Sequence, residues 1–174
     1  FQMLDSKSTR QVVLFVNAMP NGIQAMSADV EGLVETSLNL GILELNYKEL
    51  LLSYAVRSSV SSAKEALLDK LTYLTESLGG SVEISGDYPA WEYKRDSAFR
   101  DKMAAVYQKM YGRMPVIEAI HAGLECGLLA GKLPGLDCIS VGPDMEDVHT
   151  TEEKLSISST KRVSAYIVEV LKEK

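Results

Sequence analysis

Residues 41–85, GILELNYKELLLSYAVRSSVSSAKEALLDKLTYLTESLGGSVEIS, carry the pattern that decides the fold. GILEL and KELLLSYAVRS are apolar runs separated by a turn region at Asn46-Tyr47, which reads as a β-hairpin. Ser62 with Glu65 three residues later is a capping-box pattern. Leu67, Leu71, Leu74 and Leu78 then recur at helical spacing, and Gly79-Gly80 offers a left-handed stop. SVEIS at 81–85 reads as a short strand. The stretch is thus β-β-α-β, a sheet with a helix packed on one face.

Upstream, the apolar residues 8–18 favour a helix ended by the turn signal Pro20-Asn21-Gly22. Downstream, GDYPAWEYKRD at 86–96 is polar and aromatic with one proline, the composition of a domain boundary. Asp96 is placed to cap a helix with Phe99, Met103, Val106 and Met110 on one face, ended by Gly112 and Pro115. PVIEAI at 115–120 reads as a strand, HAGLECGLLAG as a loop turning into a helix, and DCISV at 137–141 as a second strand. A last helix at 159–172 would turn Val163, Ile167, Val170 and Leu171 inward. The second half therefore alternates α-β-α-β-α, the pattern of a mostly parallel sheet covered by helices, and the fold class is α/β.

The 174 residues, 46% apolar and 24% charged, suit one ordinary domain or two small ones and exclude a disordered or fibrous chain. No apolar run approaches the ~20 residues of a membrane-spanning helix. Asp5, Lys7 and Arg10 interrupt any signal-peptide core. A net charge of −6 argues against nucleic acid as a partner. The two cysteines, Cys126 and Cys138, lie in apolar surroundings and read as buried thiols of a reducing cytoplasm. The chain opens at Phe1 without a methionine, so it is expected to be a piece of a longer polypeptide.

Few residues offer chemistry. Both histidines, His121 and His149, follow apparent strands, and loops at the carboxyl ends of strands form the functional edge of an open α/β sheet. A histidine so placed is either structural or a ligand. Glu125 sits among Ala122, Gly123, Leu124, Cys126 and Gly127, where an unpaired carboxylate is costly. It is either a helix-start carboxylate stabilised by the dipole or a receiver of an ammonium group or a metal. Gly123 and Gly127 would let backbone approach a ligand closely. Arg57, ending LLLSYAVR, is either a solvated edge residue or a bidentate grip for a carboxylate. No P-loop, GxGxxG or CxxC occurs, and the acidic clusters around His149 are either a solvated loop or the surroundings of a cation. One good metal-ligand candidate is too few for a site.

Three segments, PNGIQAMSADVEGLVETSLNLG at 20–41, SGDYPAW at 85–91 and IHAGLECGLLAGKLPGLDCISVGPDMEDVH at 120–149, resemble the aminoacyl-histidine dipeptidases, metallopeptidases related to carnosinases. The resemblance runs over essentially the whole chain. It implies a cytoplasmic hydrolase of Xaa-His dipeptides with two divalent metals, usually zinc, manganese and cobalt being possible. It also implies that residues 1–90 are the later part of an α+β lid that mediates homodimerisation, and that 91–174 are the C-terminal part of the catalytic α/β domain. By the same resemblance His149 is a metal ligand, Arg57 holds the substrate's C-terminal carboxylate, and Glu125 receives its free amine. Gly123 lines the substrate loop, and His121 belongs to the motif without an assigned role.

A dipeptide is a zwitterion, and Arg57 and Glu125 have the right signs for its two ends. A lid position for Arg57 would make capture depend on domain closure. In the family the other ligands and the general-base glutamate lie upstream, in a His-x-Asp motif, a Glu-Glu pair and a further aspartate, and that region is absent here. The metals polarise the scissile carbonyl and supply hydroxide, so the chain alone is expected to be inactive and to bind zinc weakly or not at all. Two further readings compete. One is a non-catalytic dimerisation or binding module derived from a metallopeptidase. The other is a relative with different substrates, such as a tripeptidase or an amidohydrolase.

Overall fold

The computed structural model describes residues 3–119 and 124–173. It divides the chain into two compact units, Phe1–Tyr93 with Ala119–Gly131, and Lys94–Glu118 with Lys132–Lys174.

In the first unit, helix α1 (Ser6–Ala18) is capped by Asp5, whose side chain accepts the Ser8 N–H at 2.7 Å. An antiparallel sheet follows in the order β1 (Gly22–Met26), β2 (Val34–Leu45), β3 (Leu50–Ser58). The expected hairpin is β2–β3. Its turn is held by Asn46, whose Oδ1 accepts the N–H groups of Lys48 and Glu49 at 2.8 and 3.0 Å. β3 alternates strictly, turning Leu52, Tyr54 and Val56 inward and Ala55 and Arg57 outward. Helix α2 (Ser61–Ser77) lays Leu67 and Leu71 on this sheet, and with Leu38 they form the core, flanked by Met19, Tyr54 and Val56.

Two details of this unit depart from the sequence reading. β1 and the first half of β2 extend the hairpin into three strands, although the alternating VETSLNL already carried a period of two. The capping box of Ser62 and Glu65 is not what starts α2, because the N-cap is Val60 and makes no side-chain cap bond. The neighbouring N–H groups are satisfied from outside the helix: Ser58 Oγ accepts from Val60 at 3.1 Å and Glu92 Oε1 from Ser61 at 3.1 Å. The helix ends as expected at Gly79, whose φ is 83°.

The second unit is built on α3 (Ala98–Tyr111) and α5 (Ile157–Lys172). Met103 and Val106 meet Tyr166 and Val170, with Phe99, Tyr107, Met110 and Ile139 around them. The Tyr166 hydroxyl donates to the Met103 carbonyl at 2.6 Å, and its ring stands edge-on to Tyr107 with centroids 5.5 Å apart. Ser97, not Asp96, caps α3, because its Oγ accepts the Arg100 N–H at 3.0 Å. A hairpin of two-residue strands, β4 (Met145–Glu146) and β5 (Lys154–Leu155), precedes α5. The inward stripe of α5 is Ser159, Val163, Tyr166 and Val170, whereas Ile167 and Leu171 are exposed, so the apolar face expected from sequence is rotated toward the tyrosine.

The fold is mixed α and β, with the small three-stranded sheet as its main β element. The short strands expected at 81–85 and 137–141 are not strands, nor are the described residues 115–119 of the third. A strand exists through its ladder of hydrogen bonds, and among the described residues these segments form none. Most of their apolar side chains are open, Val116 being 82% exposed, although Ile139 packs against the core of the second unit. Residues 22–85 are therefore β-β-β-α, and the strand expected after α2 in the β-β-α-β reading of 41–85 is missing. Both cysteines are half-buried rather than buried.

Candidate functional site

Arg57 lies one residue before the end of β3, opposite Ser37 of β2, on the sheet face turned away from α2. The period of two explains its place, since Tyr54 and Val56 face the core and Arg57 must then face out. Glu125 is the first residue of α4 (Glu125–Lys132) and is exposed there, where the helix dipole favours a carboxylate. Arg57 and Glu125 belong to the same unit.

His149 belongs to the other unit, in the turn between β4 and β5. Its backbone is left-handed, with φ 67°, as is that of Asp147 with φ 51°. Few non-glycine residues adopt this conformation, and His149 holds it while its N–H donates to Glu153 Oε2 at 2.9 Å. The imidazole is left exposed. Among the described residues no three histidine, cysteine or carboxylate side chains gather as metal donors. His121 and Gly123 lie outside the described residues.

Gly127 does not serve the close approach to a ligand expected from the sequence. A Cβ there would lie 2.9 Å from the Pro89 carbonyl oxygen and 3.4 Å from the Trp91 Cβ, so the glycine lets α4 pack on the 89–91 segment. Two carboxylates of the second unit are perturbed: Glu173, paired with Lys109 at 2.9 Å, and Asp137, which meets the start of α3. Its Oδ1 accepts from the Ser97 hydroxyl at 2.7 Å and its Oδ2 from the Phe99 N–H at 3.1 Å. These bonds, Ser97 first, with Lys94 and Arg100 nearby, hold its carboxyl below the ordinary aspartate range. Both of its hydrogen-bond donors, Ser97 and Phe99, belong to the helix start, so its role is to fix α3.

The sequence and fold of the chain have counterparts in known proteins. The chain is 33% identical over 170 residues to the cytosol non-specific dipeptidase of Escherichia coli, covering 98% of this chain and 35% of that protein. The crystal structure of an aminoacylhistidine dipeptidase from Vibrio alginolyticus superposes with a TM-score of 0.87 at 33% identity, over 97% of this chain and 34% of that one. The chain resembles the aminoacylhistidine dipeptidases throughout its length. It spans about a third of the length of these relatives. The aminopeptidase PepT of Bacillus cereus shares the fold, with a TM-score of 0.71 at 20% identity over 95% of this chain and 45% of that one. No family model matches the sequence. No helix among the described residues is long and apolar enough to cross a membrane.

Proposed function

We propose that this chain is the C-terminal portion of a cytoplasmic metallo-dipeptidase that hydrolyses Xaa-His dipeptides. The observation that carries the reading is the agreement in sequence and fold with two dipeptidases over nearly every residue of the chain. In it the outward guanidinium of Arg57 pairs bidentately with the dipeptide's C-terminal carboxylate, and Glu125 receives the ammonium at the other end. In this reading residues 1–90 are the later part of the lid, which forms a homodimer contact, and 91–174 are the C-terminal part of the catalytic domain. His149 presents an exposed imidazole as one ligand of a metal, zinc by resemblance and manganese or cobalt by ligand type. The described donors do not fit a complete metal site, since they supply one histidine without two companions. No hydrolytic step therefore belongs to this chain alone, and its own part is to grip the two ends of the substrate.

The test begins with the coding DNA upstream of Phe1, where this reading requires an open frame containing a His-x-Asp motif and a Glu-Glu pair. The extended protein, loaded with zinc, is expected to hydrolyse dipeptides ending in histidine. Dipeptides ending in other residues, run beside them, decide between a histidine-directed enzyme and one as broad as the Escherichia coli relative's name describes. Arg57→Ala should raise KM by about tenfold or more through loss of a charge-assisted pair. Metal-dependent turnover by the purified 174-residue chain, free of host enzyme, overturns the assignment.

A further inference from the structure

We propose that residues 87–92 form a strut that positions Glu125 for the substrate amine, tying the helix it opens to the end of the strand that carries Arg57. The inference rests on the reading of Glu125 given above. On one side the segment is fastened to the first turn of α2. Lys64 Nζ donates to Asp87 Oδ1 at 2.6 Å and to the Tyr88 carbonyl at 2.7 Å, and Glu92 Oε1 accepts the Ser61 N–H at 3.1 Å. The Lys64 side chain is 15% exposed and the Asp87 side chain 62%, so the ammonium is shielded by the segment while the carboxylate stays open to water.

On the other side the segment meets the backbone of α4. Gly127 and Gly131 lie four residues apart on one helix face; Gly127 leaves no room for a Cβ and Gly131 little. At Gly127 it would strike the Pro89 carbonyl, and at Gly131 it would lie 3.1 Å from the Pro89 ring. Glu125 precedes Gly127 by two residues, about 200° around the helix, so it faces away from the packed side and stays open to a ligand.

The strut reaches Arg57 through a short, fixed junction. Only Ser59 and Val60 separate β3 from α2. Ser59 N–H donates to the Glu35 carbonyl at 3.0 Å, and Val60 N–H to Ser58 Oγ at 3.1 Å. The two groups that grip the substrate's ends are thus linked by strand end, helix start, strut and α4, with a hydrogen bond or a backbone contact at each joint. A carboxylate held this way meets the ammonium without first having to be ordered.

Trp91, the single tryptophan, lies in the strut and reports its seating. Lys64→Met and Gly127→Ala are expected to make Trp91 more accessible to acrylamide quenching in the 174-residue chain. In the zinc-loaded enzyme containing this chain, each should raise KM for a free-amine dipeptide about tenfold with little change in kcat. Inhibition by the same dipeptide lacking its amine should stay as in wild type, and Lys64→Arg should restore both readouts. Lys64→Met removes an ion pair without adding bulk, so it serves if Gly127→Ala does not fold. Unchanged Trp91 quenching in both variants overturns the strut. So does a wild-type KM in a Lys64→Met enzyme whose Trp91 has become accessible, while a raised KM in Glu125→Gln keeps the amine-binding reading standing. An unchanged KM in Glu125→Gln overturns that reading, and the strut with it.

Discussion

Asp137 accepts two hydrogen bonds from the start of α3, and its carboxyl is held below the ordinary aspartate range, first by Ser97 and then by Phe99. A carboxylate depressed in the folded state contributes stability that is fully present above its unfolded value, about 4, and is lost as pH falls through the lower folded value. Asp137→Asn is therefore expected to lower the melting temperature at neutral pH, with the gap to wild type closing as the buffer is taken below pH ~4. A gap that persists unchanged into acid would remove the charge from the explanation. Leu38, 2% exposed, is the most buried large side chain of the first unit. Leu38→Ala should cost about 2–5 kcal/mol in denaturant unfolding, because a cavity opens between the sheet and α2. Neither role was legible from composition. Asp137 stood inside an expected strand, and Leu38 in a stretch noticed for its resemblance to a family rather than for its alternation.

Helices were the elements that the sequence states most directly. Leu67 and Leu71 of α2, and Met103 and Val106 of α3, occupy the core as their spacing requires. A helix satisfies its own backbone, so its pattern is local. Its ends are less so: the cap of α2 is completed by Ser58 and by Glu92, 31 residues from its partner Ser61, which no local motif encodes. The face of α5 was misjudged because Tyr166 reads as amphipathic, whereas its hydroxyl reaches the Met103 carbonyl 63 residues away. Tyr166→Phe should destabilise the second unit by about 1 kcal/mol, measured by thermal or chemical melting, and leave the α3–α5 packing otherwise intact. A loss well above that would mean that the hydroxyl also fixes the helix geometry.

Across the chain, the second unit leaves Val116, Ile157 and Leu171 open to solvent, each more than 70% exposed. Exposed apolar groups that join into a contiguous patch mark surface meant to be covered, and the reading of this chain as part of a longer dipeptidase requires such a patch. The 174-residue chain is expected to bind an apolar fluorescent dye under native conditions and to associate with rising concentration in sedimentation. A monodisperse, dye-silent chain that melts cooperatively favours the self-sufficient binding module instead. Arg57, Glu125 and His149 were identifiable in the sequence as charged or ligating groups in apolar or loop surroundings, because residue type and local context are written there. Periodicity likewise determined where the helices and the β2–β3 hairpin lie, since both are made of contacts between near neighbours in the chain. The tertiary structure alone decided which extended segments acquire ladder partners, which glycine face of α4 rests on Pro89, and which of these residues share a unit. Those outcomes depend on contacts between residues tens of positions apart, and a pattern that repeats every two or 3.6 residues does not specify the partner on the far side.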